Sequence, residues 1–391
     1  MKKTRILAII LALLMLNQFY LSANSNEKKA GLALTINAKS AVIMEATSGE
    51  IIFEQASNER LAPASVTKVM TMLLIYEALA QNRIDWDDIV TISEHAASMG
   101  GSQIYLEPGE QQTVKDLLKS VVIASANDAA VALAEFVSGS EESFVDLMNK
   151  KARLLQMENT SFKNACGLDA EGHFSSAKDI AIMSKELLLK HPEVKDFATT
   201  WMDSIVHKTN RGEEEFGLTN TNKLVKWYNG ITGLKTGSTS TALYCLSASA
   251  NKNDMELIAV VLAAPDPNTR FQEAMKMLDY GYANYKVVKG EIPGTVMGNI
   301  TVEKGKVDQV AVMIESLISN VTEKGSNSEL THQIIIKESI KAPLEAGTVV
   351  GEIIYIYEET EMGRSNLVTE EAVERAGFTN IVARVFKGWF K

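Results

Sequence analysis

The chain has 391 residues, a formal charge of −10 at pH 7, 46% hydrophobic residues, two cysteines and five histidines. An acidic chain argues against nucleic acid as a partner. Scattered histidines (His95, His173, His191, His207 and His332) and no H-E-x-x-H string argue against zinc hydrolysis, so neither a metal nor an organic cofactor is expected.

The first residues carry Lys2, Lys3 and Arg5, then an apolar run from Ile6 to Leu16, then the small residues Ser22, Ala23 and Ser25. This order is that of a secretory signal peptide over residues 1–25. Its apolar run is shorter than the about 20 residues a membrane span needs. No cysteine follows the leader, which excludes a lipoprotein, and the protein is expected to work outside the cytoplasmic membrane.

Leu61-Ala62-Pro63-Ala64 leads into Ser65-Val66-Thr67-Lys68 and an apolar run to Ile75. A proline just before the run places Ser65 near a helix N-terminus. The three-residue spacing then sets Lys68 on the same face, one turn along, within reach of the hydroxyl. So little charge nearby predicts a buried lysine. Desolvation lowers an ammonium pKa, and a second cation, Lys235, is expected to lower it further, leaving Lys68 able to accept the serine proton. The S-x-x-K pattern also occurs at Ser25, Ser175 and Ser249, but only the copy at Ser65 opens an apolar helix.

The pattern predicts an amphipathic helix over Val114–Ile123 and an apolar one over Asp128–Phe136, with Ser125-Ala126-Asn127 between them. There the two polar side chains either cap the helix or project into a cleft. In the second role Ser125 relays protons between Lys68 and a leaving group, and the Asn127 amide binds a substrate peptide group.

Lys235-Thr236-Gly237-Ser238 is expected on a strand beside a hairpin formed by Ala242–Ala250 and Met255–Ala263. A strand edge suits an extended peptide, Gly237 permits its close approach, and Lys235 offers a point charge to a carboxylate. Cys166 and Cys245 read as buried free thiols, although export would allow them to pair.

After Tyr285 short alternating runs appear at Gly294–Val302, Gln309–Ile314, His332–Lys337 and Val349–Tyr357, predicting a small β-rich domain over 286–360. In the last segment, 366–391, Phe378, Ile381, Val382, Val385, Phe386, Trp389 and Phe390 share one helical face opposite Arg384, Lys387 and Lys391. That amphipathic pattern fits a helix lying in a membrane interface; docking on the β domain is the alternative.

Taken in order, Ser65–Lys68, Ser125–Asn127 and Lys235–Gly237 are the parts of a serine acyl-transferase that needs no histidine. With the surrounding stretches Pro63–Thr71, Ala124–Glu135, Met148–Leu188 and Asn222–Cys245, the chain resembles the serine-type D-alanyl-D-alanine carboxypeptidases. These are low-molecular-weight penicillin-binding proteins related to penicillin-binding protein 5. The likeness covers about residues 30 to 285, with a weaker match beyond.

The resemblance implies an α+β fold. A β-lactamase/transpeptidase-like catalytic domain (29–285), with an antiparallel sheet flanked by helices plus a helical subdomain, precedes the small all-β domain and the C-terminal helix. It also implies that Ser65 attacks the bond between the terminal D-alanines of a peptidoglycan stem peptide, releases D-alanine, and leaves an acyl-enzyme that water hydrolyses. Backbone N–H groups of Ser65 and Ser238 would form the oxyanion hole. Lys235 and Thr236 would hold the terminal carboxylate, and β-lactams would acylate the same serine. The expected location is the extracytoplasmic face of a bacterial cell membrane, peripherally attached.

Two positions depart from the family: Ala242-Leu243-Tyr244 stands where Ala-Gly-Tyr is usual, and Phe174 where tyrosine is expected. The alternatives are D,D-endopeptidase action on cross-links, a class A β-lactamase, and a non-catalytic wall-binding sensor. No E-x-x-L-N string lies between Asn127 and Lys235, which argues against the lactamase. Retention of Ser65, Lys68, Ser125, Asn127 and Lys235 argues against the sensor.

Overall fold

Met255–Ala264 reads MELIAVVLAA, and a strand so apolar must be covered on both faces. In the computed structural model, which describes residues 34–209, 212–325 and 328–377, it is the centre of a five-stranded antiparallel sheet. The order is Ile51–Gln55, Ser40–Glu45, Met255–Ala264, Leu243–Lys252, Ile231–Thr239. The expected strand bearing Lys235 is therefore a sheet edge, paired along one side only. The signal peptide expected over 1–25 lies outside the described residues.

Alternation along the central strand divides its two coverings. Ile258, Val260 and Leu262 join the large core with the helices that carry the first two motifs, and Ser184 of helix Ala177–Lys190 bonds Ser247 on that side. Leu257 faces the other way, where Gly281 of helix Pro267–Asn284 comes so close that a Cβ would sit 2.5 Å from Leu257 Cδ1. That helix starts where Asp266 accepts the N–H groups of Asn268 and Thr269, with Pro267 in the first turn.

The helical subdomain is built around Lys68–Ala80, buried at nearly every position. Such a helix has no solvent face and must sit at the centre of a bundle. Around it stand Val114–Ile123, capped by Thr113, and Asn127–Ser138, ended by the left-handed Gly139. Glu141–Leu154, capped by Ser140, completes the group.

Beyond the helix ending at Asn284, Tyr285–Lys289 pairs with Ser319–Glu323. A six-stranded sheet follows in the order Thr331–Ile336, Val349–Tyr357, Thr360–Thr369, Gln309–Ile314, Val296–Glu303, Ser339–Lys341. Its core is apolar, with Ile300, Val312, Ile353, Tyr355 and Leu367 among its members.

The sheet corrects two expected boundaries. A β region ending at 360 would cut the hairpin of Val349–Tyr357 and Thr360–Thr369, and residues 366–369 are strand rather than helix. The hairpin turns through Glu358 and Glu359, both left-handed. The strand after it, TEMGRSNLVT, is too polar to announce itself. The aromatic stripe from Phe378 onward lies outside the described residues.

Candidate active site

Ala64–Thr67 form a single 3-10 turn that feeds the helix Lys68–Ala80. Backbone crowds this turn from two sides, and each side needs a glycine. A Cβ on Gly167, whose φ is +87°, would fall 1.9 Å from the Ala64 carbonyl oxygen; one on Gly237 would fall 2.9 Å from the nitrogens of Ser65 and Val66. The strand carrying Ser238 thus lies against the turn carrying Ser65, bringing the elements of the two expected oxyanion donors together.

Lys68 is fully buried and spends its three N–H donors inside the protein: on Ser65 Oγ at 3.0 Å, Asn127 Oδ1 at 2.5 Å and the Cys166 carbonyl at 2.7 Å. Burial lowers its pKa to about 8, against the opposing pull of the Cys166 thiol and the Asp128 carboxyl. Near neutral pH an appreciable fraction is unprotonated, which a general base requires.

Ser125 has a left-handed backbone, φ 63°, a conformation that costs a non-glycine residue on the order of 1 kcal/mol and persists where the surroundings enforce it. Its Oγ accepts from Lys235 Nζ at 2.7 Å, and Lys235 also bonds the Thr236 carbonyl at 3.0 Å. Burial holds Lys235 well below its ordinary value, followed by the charges of Lys68 and Arg270. The expected influence between the two lysines therefore registers on Lys235, whereas Lys68 is lowered by burial. Repulsion between like charges is mutual, so the pair as a whole holds its second proton weakly.

Asn127 joins the helix bearing Lys68 to the wall of the cleft. Besides accepting from Lys68, it donates Nδ2 to the Gly100 carbonyl at 2.6 Å, and its backbone N–H meets the Ser102 carbonyl at 2.7 Å. One of the two Nδ2 hydrogens is thereby used. Neighbouring Asp128 accepts the N–H groups of Ile104 and Leu106, each at 3.1 Å, fixing the loop beyond.

Several residues that hold the site were not assigned roles by sequence reasoning. Asn164 Oδ1 accepts the N–H groups of Gly167 at 2.6 Å and Leu168 at 3.1 Å, shaping the loop that presents the Cys166 carbonyl to Lys68. His173 Nδ1 accepts the Lys163 N–H at 3.2 Å, so its proton resides on Nε2 and donates to Thr67 Oγ1 at 2.9 Å. Burial pushes its pKa down to about 4, which keeps it neutral. Arg270 Nη1 donates to the Gly237 carbonyl at 3.0 Å, bracing the edge strand from behind. The only signal for His173 was its place in the Gly172–Ser176 string; Arg270 had none.

Leu243, where the resemblance leads to an expectation of glycine, has φ 55° and therefore occupies the conformation glycine tolerates best. Phe174 receives the Arg60 guanidinium over its ring at 4.9 Å. Cys166 and Cys245 are buried and unpaired. Among the described residues no group of three or more His, Cys, Asp or Glu side chains is arranged to hold a metal ion.

Known proteins share this arrangement of elements. Residues 24–266 match the family model described as D-alanyl-D-alanine carboxypeptidase, and residues 286–375 match the C-terminal domain of penicillin-binding protein 5. The chain is 44% identical over 389 residues, 99% of each sequence, to the D-alanyl-D-alanine carboxypeptidase DacF of Bacillus subtilis (strain 168). It is 35% identical to DacC of Escherichia coli (strain K12), across 92% of this chain and 90% of the relative. Penicillin binding protein 5 from Haemophilus influenzae superposes with a TM-score of 0.74 at 31% identity, covering 88% of this chain and 100% of that one.

Proposed function

The chain belongs to the D-alanyl-D-alanine carboxypeptidase family, and from that membership and the geometry of the cleft we propose that Ser65 carries the acyl group. The protein is a serine-type D-alanyl-D-alanine carboxypeptidase, a hydrolase that acts on peptidoglycan stem peptides and binds β-lactams. The observation that carries the residue assignment is the pair of lysine contacts Lys68 Nζ to Ser65 Oγ at 3.0 Å and Lys235 Nζ to Ser125 Oγ at 2.7 Å.

Unprotonated Lys68 takes the hydroxyl proton as Ser65 Oγ bonds to the carbonyl carbon between the terminal D-alanines. Backbone N–H groups of Ser65 and Ser238 receive the developing oxyanion. Collapse breaks the C–N bond, and the proton passes by way of Ser125 to the departing amine. Lys235 and Thr236 hold the terminal carboxylate during this step, while Gly237 leaves room for the peptide backbone beside the edge strand. Water then hydrolyses the ester and frees Ser65. A β-lactam ring opened by the same attack leaves a stable ester.

Export through the leader, and attachment to the membrane surface through the cationic, aromatic segment ending at Lys391, complete the reading. Among the described residues no helix is long and apolar enough to cross a membrane. The test is D-alanine release from a soluble stem pentapeptide: wild type should release it and Ser65→Ala should not. Release by Ser65→Ala at the wild-type rate would overturn the assignment.

A further inference from the structure

The loop that Asn127 and Asp128 hold in place has a second side. Ile104 and Leu106 are buried, with their N–H groups on Asp128. Tyr105 between them is 69% exposed and left-handed, φ 61°. A bulky residue adopts that conformation at a cost on the order of 1 kcal/mol or more, and such strain gathers at binding sites.

The ring borders a cleft of about 490 Å³ between this loop and the hairpin of Met202–Thr209 and Gly212–Thr219. Phe216 stands edge-on to Tyr105 at 6.0 Å, and His207 stands edge-on to Phe216 at 5.4 Å. His207 is fixed in turn by Glu110 at 2.7 Å. Glu107 and the exposed Glu214 add carboxylates to the wall, whereas Glu213, on the other face of its strand, lies 4.0 Å from Lys208. Exposed aromatic faces with acceptor groups around them suit a ligand with an apolar ring face and outward hydroxyls. Carboxylates repel an anionic polymer and accept from hydroxyls.

Position narrows the choice. Ser102 touches Asn127 through its carbonyl, and Tyr105 lies three positions further along the chain, so about 10 Å at most separates their Cα atoms. The four residues left on Ser65 after D-alanine departs reach about 13–14 Å when extended, enough to carry the sugar past Asn127 towards this loop.

We propose that this cleft holds the glycan strand bearing the stem peptide, with a saccharide ring stacked on Tyr105 and its hydroxyls donating to Glu214. The inference rests on the carboxypeptidase reading above and adds to it a second contact, made by the sugar rather than the peptide. The enzyme then engages polymer-linked peptide more tightly than free peptide.

The test compares two substrates, soluble pentapeptide and uncross-linked glycan carrying the same pentapeptide, in the full-length protein. Tyr105→Gly relieves the left-handed backbone and keeps the fold. It should raise KM for the glycan-linked substrate about fivefold while leaving kcat and the soluble peptide unchanged. Tyr105→Trp should retain the preference, and Glu214→Gln should weaken it. Neutral β-1,4-linked N-acetylglucosamine oligomers should bind wild type and not Tyr105→Gly. Equal losses on both substrates, or no change on either together with unaltered oligomer binding, would overturn the proposal. If wild type releases D-alanine from neither substrate, the carboxypeptidase reading falls, and the oligomer comparison still decides what the cleft holds.

Discussion

The catalytic cleft and the C-terminal sheet are stabilised on opposite terms. Around the cleft, Lys68, Lys235, Asp128 and His173 are all buried, each satisfied by partners drawn from distant parts of the chain. Among its described residues the sheet from Val296 to Thr369 buries only Ser365 and Thr369 as polar side chains, and its core is aliphatic with one tyrosine. Burying a charge is costly unless it is paired and hydrogen-bonded. The cleft bears that cost where proton transfer needs shifted pKa values, and the sheet, with no such task, avoids it. Sensitivity to pH and to polar substitutions should therefore belong to the first region, and sensitivity to lost apolar volume alone to the second.

The largest expected effect is at Lys68. Lys68→Ala should slow penicillin acylation about a thousandfold, and in wild type the acylation rate should fall as pH drops below about 8, where Lys68 takes up its proton. Stopped-flow acylation across pH reads both, and a flat profile would break the contrast. In the sheet, Ile353 is fully buried; Ile353→Ala should cost about 3 kcal/mol of that region's stability. Denaturant unfolding measures the loss, and the acylation rate should not change.

His173 gives the next effect, on stability. Its pKa is lowered from 6.5 to about 4 in the folded state, so below pH 6.5 the unfolded chain takes up a proton that the folded chain refuses. Stability present above pH 6.5 is then lost as pH falls towards 4, by up to about 3 kcal/mol. Thermal melts should follow this slope in wild type and flatten in His173→Gln. The smallest effect is at Leu243, where Leu243→Gly should stabilise by about 1 kcal/mol by removing a side chain from a left-handed position; a loss would mean that Leu243 packs better than its 38% exposure suggests.

These contrasts also explain what was legible in the sequence. Ser65 and Lys68 are three residues apart on one turn, so their contact follows from helical geometry alone. The hairpin after Lys235 and the helix Val114–Ile123 were readable because strongly patterned segments announce themselves. The partner of Lys235 was not: Ser125 lies 110 positions away, and sequence reasoning tied it to Lys68 instead. His173 and Arg270 act on a hydroxyl and a carbonyl brought near only by the fold, and no short pattern encodes that. Thr360–Thr369 escaped notice because one charged turn and a polar strand hide its pairing.

The central claim is that Ser65, made nucleophilic by buried Lys68, carries the acyl group. It is tested most directly by treating the protein with a labelled penicillin and locating the adduct by peptide mass spectrometry. The account predicts one label per chain, on Ser65, absent in Ser65→Ala; label on another residue, or label persisting in that variant, would contradict it.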